Sequence, residues 1–222
     1  MTSRLFDPAA LTLVAITDDL RDGVEGLAAR SAAAARGGAT MIQVRLKDAG
    51  ARTMAEAARA IAAAVRAVAP HVPVVVNDRV DVALASGADG VHLGFDDLPV
   101  GAARRLAPPG FFVGASVGEP AEVPSAREAD YVGIGPVYPT ATKADAGSAI
   151  GPHGYAQLAA LVPLPGVGVG GITAENAAAV VKAGAHGVAV VRAIFGAPDV
   201  EAAARDVRRA IAEARAAIGA AP

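Results

Sequence analysis

Three polar side chains alternate with apolar ones in the stretch MIQVRLKDAG. Gln43, Arg45 and Lys47 are two residues apart, so in an extended chain they share one face, while Val44 and Leu46 take the other. An amide, a guanidinium and an ammonium group on one face are suited to binding an anion. The alternative, a solvated edge strand, requires a sheet with one face open to water.

Acidic residues follow two other strand-like stretches. Asp78 comes after Asn77 at the end of VPVVVND, and Asp96 and Asp97 come just after GVHLG. Magnesium is typically held by one or two carboxylates together with substrate phosphates and water, so a sparse pair suits it better than zinc or calcium. Asp78 and Asp97 therefore predict a Mg²⁺ site, and capping of the next helix is the alternative for each.

Other segments carry groups suited to phosphate. Ser116 lies in FFVGASV, and the glycine pair ending at Gly171 lets backbone amides approach a ligand closely. The segment GPVYPTATK places Thr140, Thr142 and Lys143 on a stretch without helical or strand periodicity. These hydroxyl, ammonium and amide groups indicate a second phosphorylated ligand beside a metal-bound diphosphate.

Eight short apolar runs must position these groups, and Ala-rich segments of good helix propensity separate them. Near-continuous apolar strands alternating with helices are typical of a parallel sheet covered by helices, and eight units predict a single (β/α)₈ TIM barrel over residues 1–222. An open doubly wound sheet is the alternative. The runs are 11–17, 41–46, 72–78, 90–94, 111–117, 131–137, 166–172 and 187–195.

Composition narrows the function. Lys and Arg number 20 against 22 Asp and Glu, and the basic residues form no stripe, which disfavours nucleic acid as a partner. No apolar run approaches the length of a membrane span, and no export signal is recognisable, so we expect a cytoplasmic protein that acts on small molecules. The four histidines lack metal-ligand spacing, and His92 is expected to be a hydrogen-bonded residue inside the barrel.

Taken together, these motifs resemble the thiamine-phosphate synthase (thiamine-phosphate pyrophosphorylase) family over nearly the whole chain. The segments that carry the resemblance are QVRLK, VNDR, GADGVHLG with Asp97, GASV, GPVYPTATK and GVGGIT. The resemblance implies a transferase that joins aminomethylpyrimidine methyl diphosphate to a thiazole phosphate, with or without a carboxylate, and releases diphosphate. It implies no side-chain nucleophile.

The resemblance also implies residue roles. It assigns Asp78 and Asp97 to magnesium, and it makes Arg45, Lys47 and Lys143 the cations that act on the departing diphosphate. The pyrimidine diphosphate would be bound by Gln43, Arg45, Lys47, Asn77, Ser116 and Lys143. The thiazole phosphate would be bound by Thr140, Thr142, Gly171, Val191 and Arg192.

Three positions depart from the family's commonest pattern: Phe95 replaces a glutamine, Gly118 a histidine and Arg192 a serine. The related thiazole tautomerase relies on that histidine, so Gly118 disfavours an isomerase of this kind. A tautomerase-like isomerase and a non-catalytic barrel that binds thiamine precursors are the alternative functions. The sequence does not decide whether the protein forms a homo-oligomer.

Overall fold

The eight apolar runs form one closed parallel barrel in a computed structural model of the protein, which describes residues 6–140 and 147–220. Strand order follows chain order, and the last strand pairs with the first. The prediction of a (β/α)₈ barrel is therefore confirmed, and the open doubly wound sheet is wrong. The strands are β1 Leu13–Ile16, β2 Met41–Val44, β3 Val74–Asn77, β4 Gly90–Leu93, β5 Phe112–Val117, β6 Tyr131–Ile134, β7 Gly166–Val169 and β8 Gly187–Val190.

Helical segments connect the strands and cover the barrel. Between β5 and β6 the connection is a 3₁₀ segment, Pro120–Ala126, because Pro124 inside it removes an amide donor that an α-helix would need. In the described residues no helix has the length and apolarity of a membrane span. The helices are α1 Gly23–Arg36, α2 Ala51–Val68, α3 Val80–Ser86, α4 Val100–Leu106, α5 Gly151–Ala159, α6 Ala177–Lys182, α7 Arg192–Phe195 and α8 Val200–Gly219.

The eighth apolar run, 187–195, was predicted as one strand and is only partly so. The strand ends at Val190, and α7 begins at Arg192. The apolar pattern continues beyond the strand because this short helix buries Ile194 and Phe195. A continuous apolar run cannot by itself distinguish a buried strand from a buried helical turn.

Alternation along the strands divides the core into two parts. Val14 and Ile16 of β1 belong to the cluster inside the barrel, whereas Leu13 and Ala15 pack in the layer between barrel and helices. At the inner cluster's lower end, the ring of Phe6 lies 5.2 Å from Phe112 and 5.3 Å from Tyr131, measured between ring centroids. These aromatic contacts fill the barrel interior below the polar strand ends.

Candidate active site

A cavity of about 860 Å³ lies at the carboxyl ends of the strands, where (β/α)₈ barrels place their active sites. Its volume is within the range of small-molecule binding sites. Every predicted site residue that the structure describes lines it: Gln43, Arg45, Lys47, Asn77, Asp78, Asp97, Ser116, Thr140, Gly171, Val191 and Arg192. The remaining two, Thr142 and Lys143, lie outside the described residues, so their roles stay predictions.

The cavity has two sides of different construction. We call one the side-chain wall, formed after β2 to β5 by Gln43, Arg45, Lys47, Asn77, Asp78, Asp97 and Ser116. We call the other the backbone wall, formed after β6 and β7 by Gly135, Pro136, Gly170 and Gly171. Thr140, Val191 and Arg192 adjoin the backbone wall.

In the side-chain wall, Gln43 is buried at the end of β2, and its Nε2 donates a hydrogen bond of 2.8 Å to Oδ1 of Asn77 on β3. Arg45 and Lys47 were predicted to continue the same extended strand, but β2 ends at Val44 and Lys47 lies in a turn. All three side chains still line the cavity. The predicted grouping is therefore correct, although the strand geometry invoked for it extends too far.

The two predicted metal carboxylates meet in the structure. Asp78 follows β3 in the left-handed conformation, with φ of 65°, and its side chain is hydrogen-bonded to Asp97. Asp97 Oδ2 also accepts a hydrogen bond of 2.6 Å from the backbone amide of Gly94. The capping alternative is wrong, because Arg79 and Pro99 occupy the N-cap positions of α3 and α4.

Electrostatics at this pair favour a cation. Burial, and then the hydrogen bond and negative charge of Asp97, raise the pKa of Asp78 from 3.8 to about 6, while the charges of Lys47 and Arg45 act to lower it. Two carboxylates in direct contact repel each other once both are ionised. A divalent cation relieves this repulsion, and two carboxylates with room for phosphate and water are a typical magnesium donor set.

The backbone wall forms where the segments that follow β6 and β7 contact each other. Gly170 and Gly171 have φ of 96° and 62°, and the Tyr138 amide donates a hydrogen bond of 3.0 Å to the Gly170 carbonyl. A Cβ atom on Gly171 would lie 2.6 Å from the carbonyl oxygen of Pro139, so glycine is needed for this approach. The helix that follows the glycine pair, α6, begins only at Ala177.

Arg192 lies at the first position of α7 and is exposed. It lines the main cavity and also a smaller one of about 390 Å³, which it shares with Arg45 and Arg21. No ion pair joins Arg192 to a carboxylate anywhere in the described parts of the chain. The side chain is thus not held in a surface ion pair there.

The other two departures from the family pattern, Phe95 and Gly118, also lie on the cavity. Phe95 is 57% exposed at its rim, next to the acidic pair. The Gly118 amide donates a hydrogen bond of 2.6 Å to Oε2 of Glu122, which lines the cavity as well. Sequence reasoning missed Glu122 and Tyr131 as lining residues, because Glu122 lies in the proline-containing 3₁₀ segment and Tyr131 begins a strand that looks wholly apolar.

The fold and cavity define a class: a single (β/α)₈ barrel with a polar, anion-suited cavity at the carboxyl ends of its strands. The family model for thiamine monophosphate synthase matches residues 13–194, and the chain belongs to this family. The chain is 50% identical over 185 residues to the thiamine-phosphate synthase of Methanoculleus marisnigri, a match that covers 82% of this chain and 87% of that protein.

Other relatives agree. The chain is 45% identical over 210 residues to the thiamine-phosphate synthase of Azorhizobium caulinodans, covering 94% and 98% of the two chains. The solved structure of thiamine phosphate pyrophosphorylase from Pyrococcus furiosus superposes with a TM-score of 0.80 and 39% identity, covering 93% of this chain and 98% of that one. The prediction of a transferase of the thiamine-phosphate synthase type is confirmed, and the isomerase and non-catalytic alternatives receive no support.

Proposed function

We propose that the protein joins 4-amino-2-methyl-5-(diphosphooxymethyl)pyrimidine to a thiazole phosphate, forming thiamine phosphate and diphosphate. The observation that carries this proposal is the division of the cavity into a side-chain wall of cations and carboxylates and a glycine-rich backbone wall. Each wall suits a different anion, and one cavity holds both. Phosphorylated molecules do not cross membranes unaided, which supports a cytoplasmic reaction.

The side-chain wall would receive the pyrimidine diphosphate. Arg45 and Lys47 lie close enough to Asp78 for their positive charges to lower its pKa, so their field extends over the acidic pair. The hydrogen bond between Gln43 and Asn77 fixes both amides and leaves further donors for the substrate. These groups are held in position before the substrate arrives, which is the arrangement that stabilises developing charge most effectively.

Asp78 and Asp97 would hold the magnesium ion. When bound, it would neutralise part of the diphosphate charge and make diphosphate a better leaving group. The fit rests on the direct contact between the two carboxyl groups and on the raised pKa of Asp78.

The chemical step is a substitution at the methylene carbon of the pyrimidine. The carbon–oxygen bond breaks, its electron pair leaves with the diphosphate, and the positive charge left on carbon is delocalised into the aminopyrimidine ring. The thiazole nitrogen then donates its lone pair to form the carbon–nitrogen bond. Arg45, Lys47 and Lys143 stabilise the departing diphosphate, so no side-chain nucleophile is needed.

The backbone wall would orient the acceptor. Amides freed by the glycine pair, together with Thr140, Thr142, Val191 and Arg192, would bind the thiazole phosphate and direct its nitrogen at the methylene carbon. Closure of the site around both substrates would keep water from reaching the cationic carbon.

Diphosphate release tests the proposal. The protein is incubated with Mg²⁺ and either substrate alone, and then with both. We expect diphosphate and thiamine phosphate to accumulate together, in equal amounts, only when both substrates are present. Conversion of a thiazole phosphate into its isomer without diphosphate release, or binding without turnover, would contradict the proposal and favour one of the two alternatives.

A further inference from the structure

A chain of three polar side chains crosses the interior of the barrel beneath the cavity. The Tyr131 hydroxyl lies 3.3 Å from Nδ1 of His92, and Nε2 of His92 lies 3.1 Å from Oγ of Ser116. Tyr131 is 1% exposed and His92 is 9% exposed, whereas Ser116 is only partly buried and borders the cavity. The chain of contacts thus runs from a buried hydroxyl to a hydroxyl at the edge of the cavity.

Strand register makes these contacts feasible. His92 on β4 and Tyr131 on β6 both pair with Gly114 on the intervening strand β5. A Cβ atom at Gly114 would lie 2.3 Å from the Tyr131 ring and 2.6 Å from Nδ1 of His92. Glycine therefore leaves the gap through which side chains from two non-adjacent strands meet.

A second glycine leaves room for the imidazole on its other side. Gly133 on β6 pairs with Ser116, and a Cβ atom there would lie 3.2 Å from Cε1 of His92. That distance is tighter than an ordinary van der Waals contact. The imidazole is thus enclosed between two glycine positions, with one nitrogen directed at each hydroxyl.

The need of the buried Tyr131 hydroxyl for an acceptor determines which nitrogen of His92 carries the proton. Within the described parts of the chain, the only hydrogen-bond partner of the Tyr131 hydroxyl is Nδ1 of His92. If Nδ1 carried the proton, the buried tyrosine hydroxyl would have no acceptor for its own, which is costly. The satisfied arrangement has Tyr131 donating to Nδ1, and the neutral imidazole then carries its proton on Nε2.

We propose that Tyr131 and His92 are positioning residues that act through Ser116. Nε2–H of His92 donates to Oγ of Ser116, so the hydroxyl proton of Ser116 is directed into the cavity as a donor to an anionic oxygen of the substrate. With the opposite tautomer, the serine would donate to His92 and present only a lone pair to that anion, which repels it.

The catalytic consequence rests on the function proposed above, but the proton arrangement does not. It is therefore tested first in the ligand-free protein by ¹⁵N NMR of the histidine side chains, with the His92 signals assigned by their loss in His92→Gln. We expect a neutral imidazole with the proton on Nε2. A proton on Nδ1, or on both nitrogens at neutral pH, would overturn the proposal whether or not the protein is a synthase.

A double-mutant cycle then tests the action through Ser116. Tyr131→Phe removes the hydroxyl and keeps the ring, and we expect kcat/KM to fall about tenfold, the effect of one hydrogen bond to a charged group. In the Ser116→Ala background the same change should alter kcat/KM by less than about twofold. A full tenfold effect in both backgrounds, or none in either, would overturn the proposal.

Tyr155→Phe is the matched control. Tyr155 is also 1% exposed, but it lies on α5 beside Gly166 and does not line the cavity. Its substitution removes the hydroxyl of another buried tyrosine and should leave kcat/KM within about twofold of the wild type. Equal kinetic losses in the two variants would identify the effect of Tyr131 as a general cost of removing a buried hydroxyl.

Discussion

The two walls of the cavity use different means to receive an anion. On the side-chain wall, charge is supplied by groups such as Arg45, Lys47 and Asp78, and the backbone serves to place them. On the backbone wall, the positive φ values of Gly170 and Gly171 let two loops contact each other, so the backbone itself forms much of the surface that the structure describes there. A charge substitution should therefore act mainly on the first wall, and a change of volume mainly on the second.

The largest expected effect concerns the acidic pair. Asp78→Asn and Asp97→Asn keep the shape of the side chain, and asparagine also tolerates the left-handed backbone at position 78. Each should lower kcat by about a thousandfold in saturating Mg²⁺, because a bound metal contributes several kcal/mol to stabilising the leaving charge. Steady-state diphosphate release measures this loss.

The control for the acidic pair is Asp96→Asn, an exposed carboxylate on the same loop that lines the same cavity. Its kcat should stay within about threefold of the wild type. Full activity of the wild type in excess chelator would show that no metal is needed. Equal losses in all three variants would show that the general acidity of the cavity matters, and not a metal held by two carboxylates.

A smaller effect should follow from adding one methyl group to the backbone wall. Gly171→Ala places a Cβ atom 2.6 Å from the Pro139 carbonyl oxygen and 2.8 Å from Cβ of Tyr138, so the two loops must separate. We expect KM for the thiazole phosphate to rise about tenfold, with KM for the pyrimidine diphosphate nearly unchanged.

Gly184→Ala separates this steric effect from backbone strain. Gly184 has φ of 97°, but no heavy atom lies within 4 Å of the position its Cβ would take. Both variants should lose about 1–2 kcal/mol of stability from the left-handed backbone, and only Gly171→Ala should change KM. A raised KM in both would attribute the effect to strain and weaken the distinction between the walls.

Arg192→Ser tests a charged side chain that adjoins the backbone wall. A guanidinium adds a charge-assisted contact to phosphate, but Arg192 is exposed, so we expect Kd for the thiazole phosphate to rise only about fivefold. Isothermal titration with the thiazole phosphate measures the change. Arg21→Ser, which removes an arginine from the smaller adjoining cavity, should leave this affinity unchanged, and wild-type affinity in Arg192→Ser would assign Arg192 to the surface.

The smallest expected effect is on stability. Asp78→Asn should stabilise the metal-free protein, although the same substitution lowers its activity. Because the folded protein raises the pKa of Asp78 to about 6, ionisation above that pH costs stability in the metal-free protein, and protonation restores it as pH falls. Asp78→Asn should therefore melt about 3 °C above the wild type at pH 7.5 in chelator, after allowance for solvent screening.

The difference in melting temperature should shrink as the pH falls below about 6 and approach zero near pH 3, below the ordinary pKa of 3.8, where the wild-type carboxyl is largely protonated in both the folded and unfolded states. Thermal melts of the two proteins across this pH range measure it. A difference that does not depend on pH would show that the asparagine side chain, and not the removal of a titrating charge, causes the stabilisation.

The sequence by itself determined that the chain forms a barrel and which polar residues line its cavity. Apolar strand-length runs specify a parallel sheet because their residues must be buried on both faces, and eight of them close on themselves. Since the carboxyl ends of all parallel strands meet at one end of a barrel, the polar residues that follow the runs had to gather there. Gln43, Asp78, Asp97, Ser116 and their neighbours could thus be grouped without coordinates.

Only the tertiary structure decided how these groups contact one another. The hydrogen bond between Asp78 and Asp97 depends on the left-handed turn at Asp78, which periodicity does not reveal. The contact of Tyr131 with His92 crosses an intervening strand and depends on barrel register, which places Gly114 between them. Apolar patterns report which residues are buried, whereas register, side-chain direction and turn geometry arise only when distant segments pack together.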